Sequence, residues 1–179
     1  MTLPTKLILL RILLIPMFLT FFFSDWKFGR MVALGIFAVA SLTDFFDGRI
    51  ARARDQVTNF YTFMDPLADK LLISSALIAL VWANEIAAWL AILIICRDFI
   101  ITGFRLFAAS QNAVLGAVVT GKFNTFFQML LILFILASFN GDWADWAQQI
   151  LIYIVAALTI ISTAENFIRH RKVFKRIKL

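Results

Sequence analysis

The sequence predicts an all-α membrane protein with six transmembrane helices. Three observations indicate this class: 62% of the 179 residues are hydrophobic, only 16% are charged, and the apolar residues form six long runs. The mean hydropathy of +0.89 is far above that of a soluble domain of this length. Residues 1–179 are therefore expected to form a single transmembrane domain.

Each apolar run is long enough to cross the roughly 30 Å hydrocarbon core of a bilayer. The predicted spans are Leu7–Phe23, Met31–Phe46, Tyr61–Trp82, Ile86–Phe107, Thr120–Ser138 and Gln149–Phe167. The second span is short of apolar residues, so its helix is predicted to continue towards Ala53, with its polar end beside a water-filled cavity. The connections are short, which predicts that consecutive helices are antiparallel neighbours.

Lysine and arginine residues are concentrated at one end of the predicted spans. That end carries Lys6, Arg11, Arg49, Arg52, Arg54 and the basic tail 169–178, whereas the opposite end carries Lys27 and Arg30. Positive residues favour the cytoplasmic side, so both termini are predicted to be cytoplasmic. The segment 140–146, NGDWADW, is then an outer loop with its tryptophans at interfacial depth.

Four aspartates lie near the cytoplasmic ends of the second and third spans: Asp44, Asp47, Asp65 and Asp69. Their i, i+3 and i, i+4 spacings place each pair on one helix face. A hairpin that turns within 52–59 brings Asp44 level with Asp69 and Asp47 level with Asp65. Carboxylates at membrane depth indicate function, and an all-oxygen ligand set favours magnesium, manganese or calcium. The alternative is that they are solvated or form ion pairs with Arg49, Arg52, Arg54 and Lys70.

Two further polar groups interrupt the apolar runs near the same end. Arg97, Asp98 and Arg105 lie in the fourth span, and Lys122 opens the fifth after Gly121. These cations are too few for nucleic acid, but they predict a small anion pocket because arginine makes bidentate contacts to phosphate. The alternative is that Arg97 pairs with Asp98 or with the aspartates. Metal beside cations at a cytoplasmic membrane surface indicates phosphoryl-group transfer to or from a lipid.

The aspartate hairpin resembles the signature of the CDP-alcohol phosphotransferase family, Asp-x2-Asp-Gly-x2-Ala-Arg-x8-Gly-x3-Asp-x3-Asp. Its matching residues are Asp44, Asp47, Gly48, Ala51, Arg52, Asp65 and Asp69. The resemblance extends over most of the chain, since six spans with the motif on spans two and three are the family's architecture. The run DPLADKLL, the element 97–105, Gly121-Lys122 and the N-terminal segment with Arg11 and Pro16 resemble the phosphatidylglycerophosphate synthases of that family.

The resemblance implies a metal-dependent reaction of phospholipid biosynthesis in which CDP-diacylglycerol and glycerol 3-phosphate give phosphatidylglycerophosphate and CMP. It implies two divalent ions, Mg²⁺ or Mn²⁺, on Asp44, Asp47 and Asp65. Asp69 is implied as the general base and as a further metal contact.

The resemblance also assigns the two substrates to separate sets of residues. Nucleotide binding is implied for Gly48, Ala51, Arg52 and Tyr61. The acceptor's phosphate is implied to bind Arg97, Arg105 and Lys122. Family members are typically homodimers, so a homodimer in the cell membrane, with its active site facing the cytoplasm, is expected.

Four residues depart from the family's pattern on its substrate side: Thr5, Ile8, Tyr61 and Asn124. Tyr61 stands where the pattern has a glycine, which lets a nucleotide approach the backbone closely. Two alternatives stay open: another acceptor alcohol, or a catalytically impaired lipid-binding relative. A cation pathway would need polar residues through the bilayer, whereas the outer halves 31–41 and 72–82 are almost wholly apolar.

Overall fold

The computed structural model describes the backbone of residues 3–53, 59–110 and 118–176, and the side chains within 6–43, 64–108 and 118–169. In those ranges the chain forms six α-helices and no strand. The helices are α1 (Leu3–Phe22), α2 (Gly29–Ala53), α3 (Asn59–Trp82), α4 (Ala88–Ser110), α5 (Val119–Leu136) and α6 (Asp142–Arg176). The all-α prediction is confirmed, and so is the continuation of the second helix to Ala53.

Helix α6 is longer than the sixth predicted span. It has 35 residues and begins at Asp142, so the predicted outer loop 140–146 is wrong from Asp142 onward. Asp142 and Asp145 lie in the first turn, where negative charge stabilises the positive end of the helix dipole. The apolar run that defined the sixth span begins at Gln149, about two helical turns after Asp142. Hydropathy alone therefore placed the start of the helix too late.

Two helical segments in the described part are both long and apolar enough to cross a membrane: Val119–Leu136 and Asp142–Arg169. Helices α3 and α4 are long enough but more polar. Their charged residues are Asp65, Asp69 and Lys70 in α3, and Arg97, Asp98 and Arg105 in α4. Six membrane crossings and cytoplasmic termini therefore stay predictions.

The helices group into two compact units. The first comprises Met1–Ala87 and Ile132–Phe139, and the second comprises Ala88–Leu131 and Asn140–Leu179. Whether residues 1–179 act as a single domain stays a prediction.

Helix α1 is the centre of the first unit. It packs against both α2 and α3, whereas α2 and α3 contact each other at only a few residues. Phe18 of α1 and Phe37 of α2 are fully buried, with ring centroids 5.9 Å apart. Helices α1 and α2 are therefore close neighbours, as expected for consecutive helices. Helices α2 and α3 are much less so, because each of them packs mainly against α1.

A tight turn joins α1 to α2 at Gly29. A Cβ at this position would lie 2.3 Å from Ser24 Oγ and 2.7 Å from Phe21 O. Both distances are shorter than real side-chain contacts, so any other residue would force the turn apart. Glycine is therefore required here for close approach of the backbone.

An ion pair between Arg30 and Glu85 connects three segments of the first unit. Both terminal nitrogens of Arg30 donate to the carboxylate oxygens of Glu85, with Nη2 2.6 Å from Oε2. Arg30 also donates to the carbonyls of Ile135 and Leu136, at 2.8 and 3.4 Å. Those carbonyls lie at the end of α5, where helix carbonyls lack intrahelical donors, and they also accept from Ser138. The pair therefore caps α5 while joining α2 to the turn after α3.

The second unit has a polar interior. Helix α4 packs against α6, and the rings of Phe104 and Phe167 lie 5.8 Å apart. Among these apolar contacts are buried polar residues: Arg97, Asp98, Asn124, Gln128, Thr159, Ser162 and Asn166. Buried polar groups need hydrogen-bond partners, so this layer determines how α4, α5 and α6 bind one another.

Candidate active site

Two of the predicted aspartates, Asp65 and Asp69, lie one turn apart on α3, on the same face of the helix. Asp44 and Asp47 lie on the last turns of α2, but their side chains are outside the described part of the chain. The predicted pairing of Asp44 with Asp69 and of Asp47 with Asp65 therefore stays a prediction.

Asp65 is bound by an arginine from α1. Arg11 Nη1 donates to Asp65 Oδ1 over 3.5 Å, and the two side chains are 0% and 29% exposed. Ile8 and Ala68 are buried against each other on the same two helices, so the ion pair lies in a largely apolar interface. One oxygen of Asp65 is thereby directed towards α1.

The sequence patterns assign Arg11 to the basic end of the spans and to the N-terminal segment, and they do not predict its contact with Asp65. The signal was nevertheless present, because a lone arginine inside an apolar helix must find a partner when it is buried. Its partner is 54 positions away in the chain, beyond the reach of helical periodicity.

The two oxygens of Asp69 differ in their contacts. Oδ2 lies 3.1 Å from Nζ of Lys70, so an ion pair with Lys70, offered as an alternative to metal binding, is present. Oδ1 is buried and has no hydrogen-bond partner among the described residues. Leaving a buried acceptor unsatisfied costs free energy. An oxygen in this state is suited to accept a proton or to bind a cation.

The donor chemistry fits a hard divalent ion. Asp65 and Asp69 offer carboxylate oxygens, which are the ligands that magnesium and manganese prefer, and the unpartnered Oδ1 of Asp69 is one available donor. Within the described side chains no cluster of three ligand residues occurs. The remaining predicted ligands, Asp44 and Asp47, belong to the part whose side chains are not described.

The predicted nucleotide site also falls on undescribed side chains. Gly48, Ala51 and Arg52 belong to the C-terminal turns of α2, and Tyr61 belongs to the first turn of α3. Their roles stay predictions.

Arg97 is buried inside the second unit. Its Nη1 donates to Asp98 Oδ1 over 2.5 Å, and its Nη2 donates to Ser162 Oγ over 3.0 Å. The alternative in which Arg97 pairs with Asp98 is therefore confirmed. A Cβ on Gly121 would lie 3.4 Å from Arg97 Nη2, so the start of α5 approaches the guanidinium closely. Sequence analysis gave no sign of Ser162, a small hydroxyl residue inside a long apolar helix.

Arg105 and Lys122, the other two predicted phosphate ligands, are exposed. Neither belongs to a salt bridge with the described residues, although Arg105 lies close enough to Arg97 and Asp98 to interact with both charges. Arg97, by contrast, already has two hydrogen-bond partners. The structure thus places Arg97 beside the Gly121-Lys122 element, and the anion pocket stays a prediction.

Comparison with known proteins identifies the family. The model of the CDP-alcohol phosphatidyltransferase family matches residues 1–161. The chain belongs to this family. The resemblance carried by the aspartate signature is confirmed.

Relatives within the CDP-alcohol phosphatidyltransferase family match over nearly their full length. One is the CDP-diacylglycerol–glycerol-3-phosphate 3-phosphatidyltransferase of Bacillus subtilis, which is 36% identical over 97% of each chain. Proteins of the same name from Rickettsia bellii and Salmonella paratyphi A are 34% and 35% identical, and they cover 96% and 89% of this chain. Those matches cover 97% and 89% of the relatives' own lengths.

Proposed function

We propose that this chain transfers the phosphatidyl group of CDP-diacylglycerol to glycerol 3-phosphate and releases CMP. The observation that carries the proposal is the 36% identity, over 97% of both chains, to a Bacillus subtilis protein whose name states this reaction. In the reaction an acceptor oxygen forms a bond to phosphorus, and the bond from that phosphorus to an oxygen of CMP breaks.

Asp69 is proposed as the general base. Its Oδ2 is held by Lys70 at 3.1 Å, which fixes the orientation of the carboxylate. Its Oδ1 lacks a hydrogen-bond partner in the described structure and is therefore the atom that takes the proton of the attacking hydroxyl. A positioned base of this kind contributes roughly 10²- to 10⁴-fold to the rate.

Asp44, Asp47, Asp65 and Asp69 are proposed to hold two divalent ions, Mg²⁺ or Mn²⁺. When bound, the ions supply positive charge that offsets the diphosphate and the departing CMP. Arg11 holds Asp65 from the side of α1 over 3.5 Å. This contact limits the movement of a proposed ligand whether or not metal is bound.

The two substrates are proposed to bind separate groups of residues. Gly48, Ala51, Arg52 and Tyr61 are assigned to the nucleotide. Arg97, Arg105 and Lys122 are assigned to the acceptor's phosphate, supported by the exposure of the last two and by the lack of ion pairs to either among the described residues.

The protein is further proposed to be a multi-pass membrane protein with six spans, a homodimer in the cell membrane, and an active site facing the cytoplasm. Large apolar side chains exposed on the described helices support a bilayer environment, because a soluble surface rarely carries so many. Among those at least 60% exposed are Leu13, Met31, Ile78, Trp82, Ile92, Val119, Phe126, Trp146, Tyr153 and Ile168. The bias of lysine and arginine to one end supports the orientation.

Purified protein in phospholipid vesicles tests the reaction by release of CMP from CDP-diacylglycerol with Mg²⁺. We expect rapid release with glycerol 3-phosphate and little with glycerol or serine, because the proposed cations bind a phosphate, and inositol phosphate tests the alternative of another phosphorylated acceptor. An Asp69→Asn variant is the negative control for CMP release. CMP release that is equally fast with glycerol, or a clear preference for another alcohol, would replace the proposed acceptor.

A further inference from the structure

Two buried amide side chains in the second unit have unused hydrogen-bonding atoms. Asn124 and Gln128 are 0% and 1% exposed and lie one turn apart on the same face of α5. Nδ2 of Asn124 and both Nε2 and Oε1 of Gln128 are buried without a partner among the described residues. Buried polar atoms are nearly always paired in folded proteins. Three such atoms on neighbouring side chains therefore point to a small polar group that binds between them.

Asn124 is linked to Arg97 through Ser162 and Thr159. Ser162 accepts from Arg97 Nη2 over 3.0 Å and donates to the backbone oxygen of Thr159 over 3.3 Å. Thr159 in turn donates to Oδ1 of Asn124 over 3.0 Å. Asn124 is also one turn beyond Gly121, against which the Arg97 guanidinium lies, or about 4.5 Å along the helix axis. The amide pair is thus the neighbour of the proposed phosphate-binding arginine.

The chemistry of the three atoms selects the kind of group. The two amide nitrogens donate, and the amide oxygen of Gln128 accepts. A hydroxyl group has one hydrogen and two lone pairs, so it can accept from both amide nitrogens and donate to the amide oxygen. A water molecule can make the same contacts, but only a substrate hydroxyl would make the rate depend on whether the alcohol carries that group. Neither amide carries charge, so the pair is unsuited to phosphate.

We propose that Asn124 and Gln128 bind the hydroxyl group that the acceptor alcohol does not use in the reaction. The inference rests on the proposed function, in which glycerol 3-phosphate attacks through one terminal oxygen and carries phosphate at the other end. Its middle hydroxyl is then left to be recognised by Asn124, which lies one helical turn beyond Gly121, against which the arginine that holds the phosphate lies. Asn124 and Gln128 would select glycerol 3-phosphate over phosphorylated alcohols that lack this hydroxyl.

The test compares glycerol 3-phosphate with 3-hydroxypropyl phosphate, which lacks only the middle hydroxyl. We expect the wild-type protein to prefer glycerol 3-phosphate in kcat/KM by about two- to tenfold, the effect of a neutral hydrogen bond. Gln128→Leu should bring the preference close to one, because leucine keeps the volume but neither donates nor accepts. Asn124→Leu should act in the same direction, since Thr159 can still donate to the backbone oxygen of Val155.

Gln149→Leu is the matched control, because it makes the same chemical change on the exposed surface of α6 and should leave the preference unchanged. Elution profile and thermal unfolding identify any variant that fails to fold. A Gln128→Leu protein that folds and keeps the wild-type preference overturns the amide site while leaving the reaction in place, and so does a wild type that uses both alcohols equally. A wild type that releases CMP with neither alcohol overturns the proposed function and the amide site together.

Discussion

Glu85 and Asp69 are both carboxylates of the first unit, and they use their oxygens differently. Both oxygens of Glu85 accept from Arg30, which also binds two carbonyls at the end of α5. Asp69 has one oxygen beside Lys70 at 3.1 Å, and its other oxygen is buried without a partner in the described structure. A carboxylate whose oxygens are all bound stabilises the fold, whereas one with an unused oxygen is available for chemistry.

The largest expected effect is on catalysis at Asp69. Asp69→Asn should lower the rate of CMP release roughly 10²- to 10⁴-fold, because an amide oxygen cannot act as a general base. The variant should fold, and its free energy of unfolding should change only by the small contribution of the ion pair with Lys70. Steady-state rates and thermal unfolding on the same preparation separate the two properties. Near-normal turnover would show that another group removes the proton.

A smaller effect is expected at Arg105. In contrast to Arg30, Arg105 makes no ion pair with described residues, so its charge is available to the acceptor's phosphate. Arg105→Gln should raise KM for glycerol 3-phosphate about 10- to 100-fold, the effect of losing a hydrogen bond to a charged group, with KM for CDP-diacylglycerol little changed. Arg169→Gln, an exposed arginine of α6, is the control. An unchanged acceptor KM would remove Arg105 from the site.

The smallest effect is expected at Glu85, and it concerns stability instead of rate. Glu85→Gln should lower the free energy of unfolding by about 1–2 kcal/mol, between the values for surface and buried ion pairs, because the pair is partly exposed. In a chain of this length that corresponds to a drop in Tm of about 2–8 °C. Turnover per folded molecule should stay normal. A catalytic defect at full stability would mean that Glu85 serves the active site.

Much of the fold follows from local patterns in the sequence. Apolar run length predicted the six helices, and the polar end of the second predicted its extension to Ala53. The i, i+4 spacing identified Asp65 and Asp69 as a pair. The late placement of the start of α6 has the same local origin, since its first turn carries Asp142 and Asp145 and falls outside the apolar run.

The contacts that define the candidate site were not predictable in this way. Arg11 meets Asp65 across 54 positions and Arg30 meets Glu85 across 55. Such pairs depend on which helix faces pack together. Helix α1 packs against both α2 and α3, and the spacing of apolar residues does not predict this arrangement. The unused atoms of Gln128 are likewise visible only once burial is known, because glutamine at an exposed position needs no partner.

The length of α6 has a mechanical consequence. Its 35 residues form a rod about 52 Å long, whereas the hydrocarbon of a bilayer is about 30 Å thick. In the membrane that the proposed function requires, roughly 20 Å of the rod must lie in the head-group layers or in water. Because the backbone is helical through to Arg176, the basic C-terminal end lies at a fixed distance from the apolar part of the helix. Moving the helix along the membrane normal would bring these charges into the hydrocarbon, which is unfavourable.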